Sequence, residues 1–191
     1  NTGKLTLENE GIFKGKKILE PKNSKTRPLK DLAKESIFNI LIHSNKFQLD
    51  LKNSNVLDLF SGVGSFGIEC LSRGMKNVIF VENYYEVLPI LKKNLENLKT
   101  IKNYQILESN IYEKNFFQKL DKKFDIIFFD PPFKDKNLSI LLNSIKNQNI
   151  INENGIIIIH RHKDELDVIP KQFKIIEEKK YGLSKIIFFQ L

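Results

Sequence analysis

The stretch Asn55-Val-Leu-Asp-Leu-Phe-Ser-Gly-Val-Gly-Ser-Phe-Gly67 decides the fold of this chain of 191 residues. It is typical of a short apolar strand, a glycine turn and the start of a helix. Gly62 and Gly64 let the backbone pass close to a ligand, and Gly67 lets the helix pack tightly on the strand. Because this glycine spacing also fits plain tight packing, the neighbouring residues must indicate which ligand the turn accepts.

Asp58 makes the turn unsuitable for a ligand that carries phosphate. It lies near the carboxyl end of the strand, four residues before the first glycine. A carboxylate at this point repels a pyrophosphate but accepts a hydrogen bond from an ammonium group, directly or through water. S-adenosylmethionine carries an ammonium group and no phosphate, so we expect it to be the cofactor. The alternative is that Asp58 caps nearby backbone amides of the turn.

The next two strands also end in polar side chains. Glu82 follows the second strand, 15 residues after Gly67, and is placed to accept hydrogen bonds from both ribose hydroxyls of the cofactor. A solvated glutamate at a strand end is the alternative. Asn110 follows the third strand, where it can meet the adenine amino group or cap the following helix, and both interpretations stay open.

From residue 55 onward, short apolar strands alternate with longer helical stretches. Strands are predicted at Asn55–Phe60, Asn77–Glu82, Tyr104–Glu108, Phe124–Asp130 and Ile156–His160. Helices are predicted at Ser65–Ser72, Tyr85–Lys99, Ile111–Leu120 and Leu138–Asn147, and a closing antiparallel hairpin at Phe173–Tyr181 and Ser184–Leu191. This alternation predicts an α/β fold with a mostly parallel sheet that is covered on both faces.

Residues 1–54 do not follow the alternation, and we expect them to form an N-terminal extension packed on a main domain of residues 55–191. Short strands are predicted at Leu5–Leu7 and Lys16–Leu19, and an amphipathic helix at Leu29–Ser44. The extension is basic through Lys14, Lys16, Lys17, Lys22, Lys25, Arg27, Lys30 and Lys34. With a net charge of +8 over the whole chain, these residues favour contact with an RNA backbone, and a merely solvated face is the alternative.

The segment Phe124-Asp-Ile-Ile-Phe-Phe-Asp-Pro-Pro-Phe133 carries the predicted chemistry. Its two consecutive prolines end a central strand and stiffen the loop just past Asp130. The Asp130 carboxylate and the Pro131 carbonyl form a pair of acceptors, and Phe133 offers a ring on which a base can stack. An exocyclic amine needs such acceptors because its lone pair is delocalised into the ring until its hydrogens are held. A strand-ending turn with a core phenylalanine is the alternative.

These residues resemble the RsmD-type 16S rRNA (guanine-N2)-methyltransferases, which depend on S-adenosylmethionine. The tetrapeptide 130–133 is similar to their [DN]PP[FYW] motif, and residues 55–67 are similar to their first motif. The other resembling segments are FKGKKI (13–18), RPLKDLAKESIFN (27–39), LDLFSGVGSFGIECLSRG (57–74), VIFVE (78–82) and KKYG (179–182).

The resemblance implies a Rossmann-like class I methyltransferase fold with a seven-stranded, mostly parallel sheet and an antiparallel last strand. The cofactor-binding residues that it implies are Asp58, Phe60, Gly62, Gly64, Glu82 and Asn110. The catalytic residues that it implies are Asp130, Pro131 and Phe133. The expected partner is 16S rRNA or an assembly intermediate of the small ribosomal subunit, and the expected state is a monomer.

Departures from the family's pattern include the segment that follows Arg27-Pro28 and the residue His160. Arg27-Pro28 is followed by Leu29 and Lys30 where the family usually has a threonine, so any contact from that hydroxyl is lost or replaced. His160 stands where an acidic residue is expected after the fifth strand, and the sequence assigns it no role.

Composition excludes several other classes of protein. One cysteine, Cys70, excludes a disulfide framework, and the scattered histidines give no expected metal site. The apolar runs are too short to span a bilayer and the first residues do not resemble a signal peptide, so we expect a cytoplasmic protein without a membrane partner. Two other functions stay open: methylation of adenine N6 in DNA or of a protein glutamine amide, and a catalytically idle RNA-binding assembly module.

Overall fold

In a computed structural model, which describes residues 11–13, 15–21, 31–132 and 134–191, strands alternate with helices as the pattern predicts. The strands are β1 (Asn55–Leu59), β2 (Asn77–Val81), β3 (Tyr104–Leu107), β4 (Phe124–Phe129), β5 (Ile151–His162), β6 (Lys174–Tyr181) and β7 (Ser184–Gln190). The α-helices are α1 (Asp31–His43), α2 (Ser65–Ser72), α3 (Leu88–Glu96) and α4 (Leu138–Asn147), and short 3₁₀ helices cover Leu51–Asn53 and Phe116–Lys119.

The strands form one sheet in the order β3-β2-β1-β4-β5-β7-β6. Strands β1 to β5 run parallel, whereas β7 is antiparallel to both β5 and β6. This topology confirms the predicted sheet and its antiparallel last strand. The order of the strands reverses between β1 and β4, and in open α/β sheets ligands bind beyond the carboxyl ends of the strands at such a point.

Each face of the sheet has its own apolar cluster, which explains the continuous apolar runs of the central strands. Val56, Ile126 and Ile158 face the cluster that contains side chains of α1, α2 and α3. The residues next to them in sequence, Leu57, Ile127 and Ile159, face a cluster with α4 and the 3₁₀ helix 116–119. Because side chains alternate along a strand, this pattern also fixes the face on which each polar residue at a strand end lies.

Helix α1 confirms the predicted amphipathic helix over the described part of its span. Ala33, Ile37 and Leu41 are buried, and the Phe38 ring stacks on the Phe66 ring of α2 at a centroid distance of 5.4 Å. The division of the chain at residue 54 stays a prediction. Several predicted features lie outside the described residues. They are the strand at Leu5–Leu7 and the residues Lys14, Lys22, Lys25, Arg27, Pro28, Leu29, Lys30 and Phe133.

The predicted helix Ile111–Leu120 is wrong. The chain there forms turns followed by the 3₁₀ helix Phe116–Lys119. Asn110 Oδ1 accepts a hydrogen bond from the Tyr112 N–H at 2.9 Å, and Asn115 has a left-handed backbone with φ of 65°. Short polar side chains that bond to the nearby backbone compete with the hydrogen bonds of an α-helix, so the helix does not form.

Other predicted elements differ in extent. Strand β5 begins at Ile151 rather than Ile156, with a shift of register against β4 before Ile126. The predicted strand at Lys16–Leu19 is reduced to a single bridge at Lys17. Helix α3 runs over Leu88–Glu96, shorter than predicted, and the β6–β7 hairpin is confirmed. Within the described ranges, none of the helices has the length and apolarity needed to cross a membrane.

Candidate active site

The glycine turn between β1 and α2 has an unusual backbone. Phe60, Gly62 and Gly64 all have left-handed conformations, with φ of 55°, 57° and 94°. A phenylalanine in this region is strained, and such strain concentrates at functional sites. A Cβ on Gly64 would lie 2.7 Å from Leu91 Cδ1, whereas a Cβ on Gly62 would meet nothing within 4 Å. Gly64 therefore allows close packing, and the space over Gly62 is open to a ligand.

Asp58 lies beneath this turn and is almost completely buried, with 1% of its surface exposed. Its Oδ2 accepts a hydrogen bond from the Gly67 N–H at 3.1 Å, as the capping alternative predicts. Its Oδ1 is also buried, and it has no hydrogen-bond partner among the described residues. Burial raises the pKa of Asp58 well above its ordinary value. The hydrogen bond from the Gly67 N–H lowers this pKa, whereas the negative charges of Asp130 and Glu82 raise it further. The unpaired oxygen therefore requires a donor, and a cationic one suits it best.

Glu82 holds the glycine turn from the end of β2. Its Oε1 accepts from the Gly62 N–H at 2.9 Å, and its Oε2 accepts from the N–H groups of Asn83 and Tyr84 at 3.0 and 3.1 Å. These bonds use three of the roughly four lone-pair sites of a carboxylate. Glu82 is therefore a structural part of the turn that retains acceptor capacity for a hydroxyl group.

Asn110 performs the capping role that the sequence left open, because its Oδ1 bonds to the Tyr112 N–H. The residue is exposed at the end of β3, so its side chain remains accessible to a ligand. The Tyr112 ring lies 6.1 Å from the Phe60 ring, and this contact joins the segment after β3 to the glycine turn. The predicted contact of Asn110 with adenine stays a prediction.

Asp130 follows β4 directly and faces the same side of the sheet as Asp58. Its Oδ1 lies 2.8 Å from His160 Nδ1 on β5. The Asp130 side chain is 11% exposed and Pro131 is buried, so the strand end is fixed within the protein. The sequence assigned His160 no role, and this contact is the main feature of the site that it missed.

The basic extension is only partly available for RNA. Lys34 is completely buried, and its Nζ lies 3.8 Å from Glu69 Oε1, 3.6 Å from Asp31 Oδ1 and 3.4 Å from Ser65 Oγ. The prediction that Lys34 contributes to a basic RNA-binding surface is therefore wrong, because its charge is used inside the protein to join α1 to α2. Lys17 is exposed.

A cavity of about 490 Å³ lies between α1 and β6. It is lined in part by Ser36, Ile40, His43, Glu177, Lys179 and Tyr181. None of these is a predicted site residue, so we assign the cavity no role in the chemistry. In the part of the chain that the structure describes, no group of three or more histidine, cysteine or acidic side chains could hold a metal ion.

The strand order, the glycine turn after β1 and the Asp-Pro-Pro segment after β4 together define a Rossmann-like class I methyltransferase fold. The chain belongs to the RsmD-type family, since the family model described as "Conserved hypothetical protein 95" matches residues 10–190.

The chain is similar to proteins of several bacteria over nearly its whole length. It is 31% identical to "Putative rRNA methyltransferase YlbH" of Bacillus subtilis, over 94% of this chain and 96% of that protein. It is 30% identical to "Ribosomal RNA small subunit methyltransferase D" of Haemophilus influenzae, over 94% and 91% of the two chains. Among solved structures, "Putative methyltransferase yhhF" of Escherichia coli has a TM-score of 0.81 and 26% identity, with 98% of both chains covered.

Proposed function

We propose that this chain transfers a methyl group from S-adenosylmethionine to the N2 amine of a guanine in small-subunit rRNA. The observation that carries the proposal is the position of Asp130. It stands at the carboxyl end of β4, beside the glycine turn at the point where the strand order reverses, and two prolines follow it. The RsmD-type family and the rRNA methyltransferase names of its relatives support the same reaction.

The described residues fit S-adenosylmethionine. Asp58 offers a buried carboxylate oxygen, without a partner in the described part of the chain, for an ammonium group, and Glu82 keeps acceptor capacity for ribose hydroxyls. The open space over Gly62 leaves room for the ligand, and Phe60, Gly64 and Asn110 complete the proposed binding residues. When bound, the cofactor supplies an electrophilic methyl group on a sulfonium sulfur.

The contribution of Asp130 and Pro131 is mainly orientation. The Asp130 carboxylate and the Pro131 carbonyl would accept the two hydrogens of the guanine amine, which returns electron density to the nitrogen and directs its lone pair at the methyl carbon. With S-adenosylmethionine held by Asp58 and Glu82, its methyl group would pass to the amine nitrogen and its sulfur would leave as a neutral thioether. We assign the proton that the amine then loses to Asp130 or to water.

An RNA substrate fits the charge of the chain as well as its relatives. A net charge of +8 favours a polyanion through release of counterions. A guanine in a paired stem engages its N2 amine, so the base must leave the stack before it can react. We assign Phe133 the role of stacking on the flipped base, and we assign Lys16 and Lys17 contacts with phosphates.

The test is a methylation assay with labelled S-adenosylmethionine on naked small-subunit rRNA and on small subunits from cells that lack a methyltransferase of this family. Nucleosides are then identified by mass spectrometry. The wild-type chain should form N2-methylguanosine, and Asp130→Ala should lower turnover by about 100-fold or more while cofactor binding in calorimetry stays intact.

Asp125→Ala is the matched control, because Asp125 lies near the opposite end of β4 and accepts hydrogen bonds from Asn55 and Asn152. Its turnover per folded molecule should stay near that of the wild type. Label in a protein glutamine or in adenine would replace the guanine proposal with one of the two rival substrates. Failure of the wild type to bind the cofactor would favour the idle RNA-binding module.

A further inference from the structure

His160 and Arg161 are consecutive residues near the end of β5, and both are buried, with 2% and 0% of their surfaces exposed. Because side chains alternate along a strand, they leave opposite faces of the sheet. Ile158 lies in the cluster with α2 and Ile159 in the cluster with α4, so His160 is on the α2 face and Arg161 on the α4 face. Both side chains reach the segment that follows β4.

His160 holds the side chain of Asp130. Phe129 pairs with Ile159 in the parallel register, so the next pair along the strands is Asp130 and His160. The Nδ1–Oδ1 distance of 2.8 Å is that of a hydrogen bond to a carboxylate. A hydrogen bond from a buried imidazole to one carboxylate oxygen restricts rotation about the side-chain bonds of the aspartate. The second oxygen therefore points in a fixed direction.

Arg161 holds the backbone of the same segment from the other face. Its Nη1 donates to the Pro132 carbonyl at 3.2 Å and its Nη2 donates to the Asp135 carbonyl at 2.7 Å. Asp167 balances the buried charge with two further bonds of 2.9 Å, from Nε and Nη2. The rigid planar fork of a guanidinium fixes the direction of each donor, which a lysine could not do.

Further hydrogen bonds hold the end of the segment at Asp135. The Asp135 N–H donates to the Pro132 carbonyl at 2.9 Å, and Asp135 Oδ1 accepts from the Asn137 N–H at 2.7 Å. Asp135 Oδ2 also accepts from the Tyr112 hydroxyl. Arg161 and the Asp135 N–H therefore share the Pro132 carbonyl, and a displacement of Arg161 would disturb the bonds at both Pro132 and Asp135.

We propose that His160 and Arg161 form a clamp that positions Asp130 and the Pro131 carbonyl for the guanine amine. The proposal rests on the proposed function. His160 holds Asp130 at Oδ1 and so sets the direction of its carboxylate, and Arg161 bonds to the Pro132 carbonyl rather than to the Pro131 carbonyl. Both are positioning residues, since neither is placed to touch the reacting atoms. A misplacement of about 1 Å in such a site can cost about 100-fold in rate.

The test of His160 compares His160→Leu with His160→Asn. Leucine removes the donor, whereas the asparagine amide nitrogen lies the same number of bonds from Cα as Nδ1 and restores a donor. With the small-subunit assay, His160→Leu should lower kcat by about 10-fold to 100-fold with cofactor affinity unchanged. His160→Asn should recover most of that loss. His162→Leu is the control, because His162 follows on the same strand and its Nδ1 accepts from the Asp164 N–H.

The test of Arg161 uses Arg161→Lys, with amide hydrogen exchange as a readout that needs no substrate. The amides of Asp135 and Asn137 should exchange at least about 10-fold faster than in the wild type, while amides of β1 stay protected. Turnover should fall as it does in His160→Leu. If Arg161→Lys does not fold, Asp167→Asn weakens the same clamp by removing one charge and should give the same direction of change.

Three results would overturn the clamp: wild-type turnover in His160→Leu, equal loss in His160→Leu and His160→Asn, or unchanged exchange in the Arg161 and Asp167 variants. Failure of the proposed function has a different signature. A wild-type chain that binds cofactor but never methylates guanine refutes the substrate, whereas the exchange measurements still report whether Arg161 holds the segment.

Discussion

Replacement of Gly67 by alanine tests how the turn, α2 and Asp58 are packed together. Gly67 is in the first turns of α2, over the ring of Phe80 on β2 and beside Asp58. A Cβ at this position would lie 2.3 Å from Phe80 Cε1 and 3.0 Å from Asp58 Oδ2. The Phe80 ring is completely buried and packs edge-on against Tyr104, so its neighbours restrict its movement.

The size of the effect follows from three opposing contributions. The helix must move away from β2 by about 1 Å, and overpacking of this kind costs roughly 1–3 kcal/mol. The same movement stretches the Gly67 N–H bond to Asp58 Oδ2, which loses about 1 kcal/mol. Alanine is the better helix former by about 1 kcal/mol, and this gain offsets the lost hydrogen bond. The net loss is therefore about 2 kcal/mol, or a fall in Tm of about 4–8 °C for a chain of this size.

The assay is urea denaturation of four proteins: wild type, Gly67→Ala, Phe80→Leu and the double variant. Leucine at position 80 removes the ring atoms that the new methyl group would strike. The double variant should therefore be more stable than the sum of the single losses predicts, by about 1 kcal/mol or more. Additive losses, or an unchanged free energy of unfolding in Gly67→Ala, would refute the argument that Gly67 is required for close packing.

Two further predictions concern buried charges. Because burial raises the pKa of Asp58, the folded chain without cofactor binds more protons than the unfolded chain, so its free energy of unfolding should fall as pH rises from about 4 through the raised pKa. Asp58→Asn should lose this slope in urea denaturation at a series of pH values, and an identical slope would contradict the burial argument. Lys34→Met removes one buried cation from beside Glu69, to which Arg73 also lies close, and should cost about 2–3 kcal/mol in the same assay. The affinity of the folded variant for RNA should not change. A weakened affinity would instead support the original prediction that Lys34 contributes to RNA binding.

The sequence predicts most of the sheet because the central strands are apolar without interruption. Such runs are expected where helices cover both faces, and the glycine turn marks the first strand. The helix predicted over Ile111–Leu120 fails for a local reason. Its apolar spacing fits a helix, but Asn110 and Asn115 stabilise turns through a side-chain bond and a left-handed backbone. Competition of this kind is not visible in hydrophobic periodicity.

The contacts between distant elements were harder to predict. Lys34 stands between Ala33 and Ile37 of the apolar face of α1, and this spacing already indicates burial, but its partner Glu69 lies on another helix. The contact of His160 with Asp130 could have been predicted from the sequence. The apolar runs of β4 and β5 end at Asp130 and His160, and parallel pairing of the ends of these runs places the two side chains together.

Asp58 and Asp130 differ in their electrostatic state because their surroundings differ. Asp58 is buried, and one of its oxygens has no partner among the residues that the structure describes, so those residues leave its charge poorly stabilised. Asp130 is held at one oxygen by His160. The charge of Asp130 also raises the pKa of Asp58, so the two carboxylates oppose each other. On the proposed function, a cationic cofactor next to Asp58 would relieve this opposition and favour the ionised form of Asp58. The bound methyl donor would then add to the Gly67 N–H in offsetting the cost of burying Asp58.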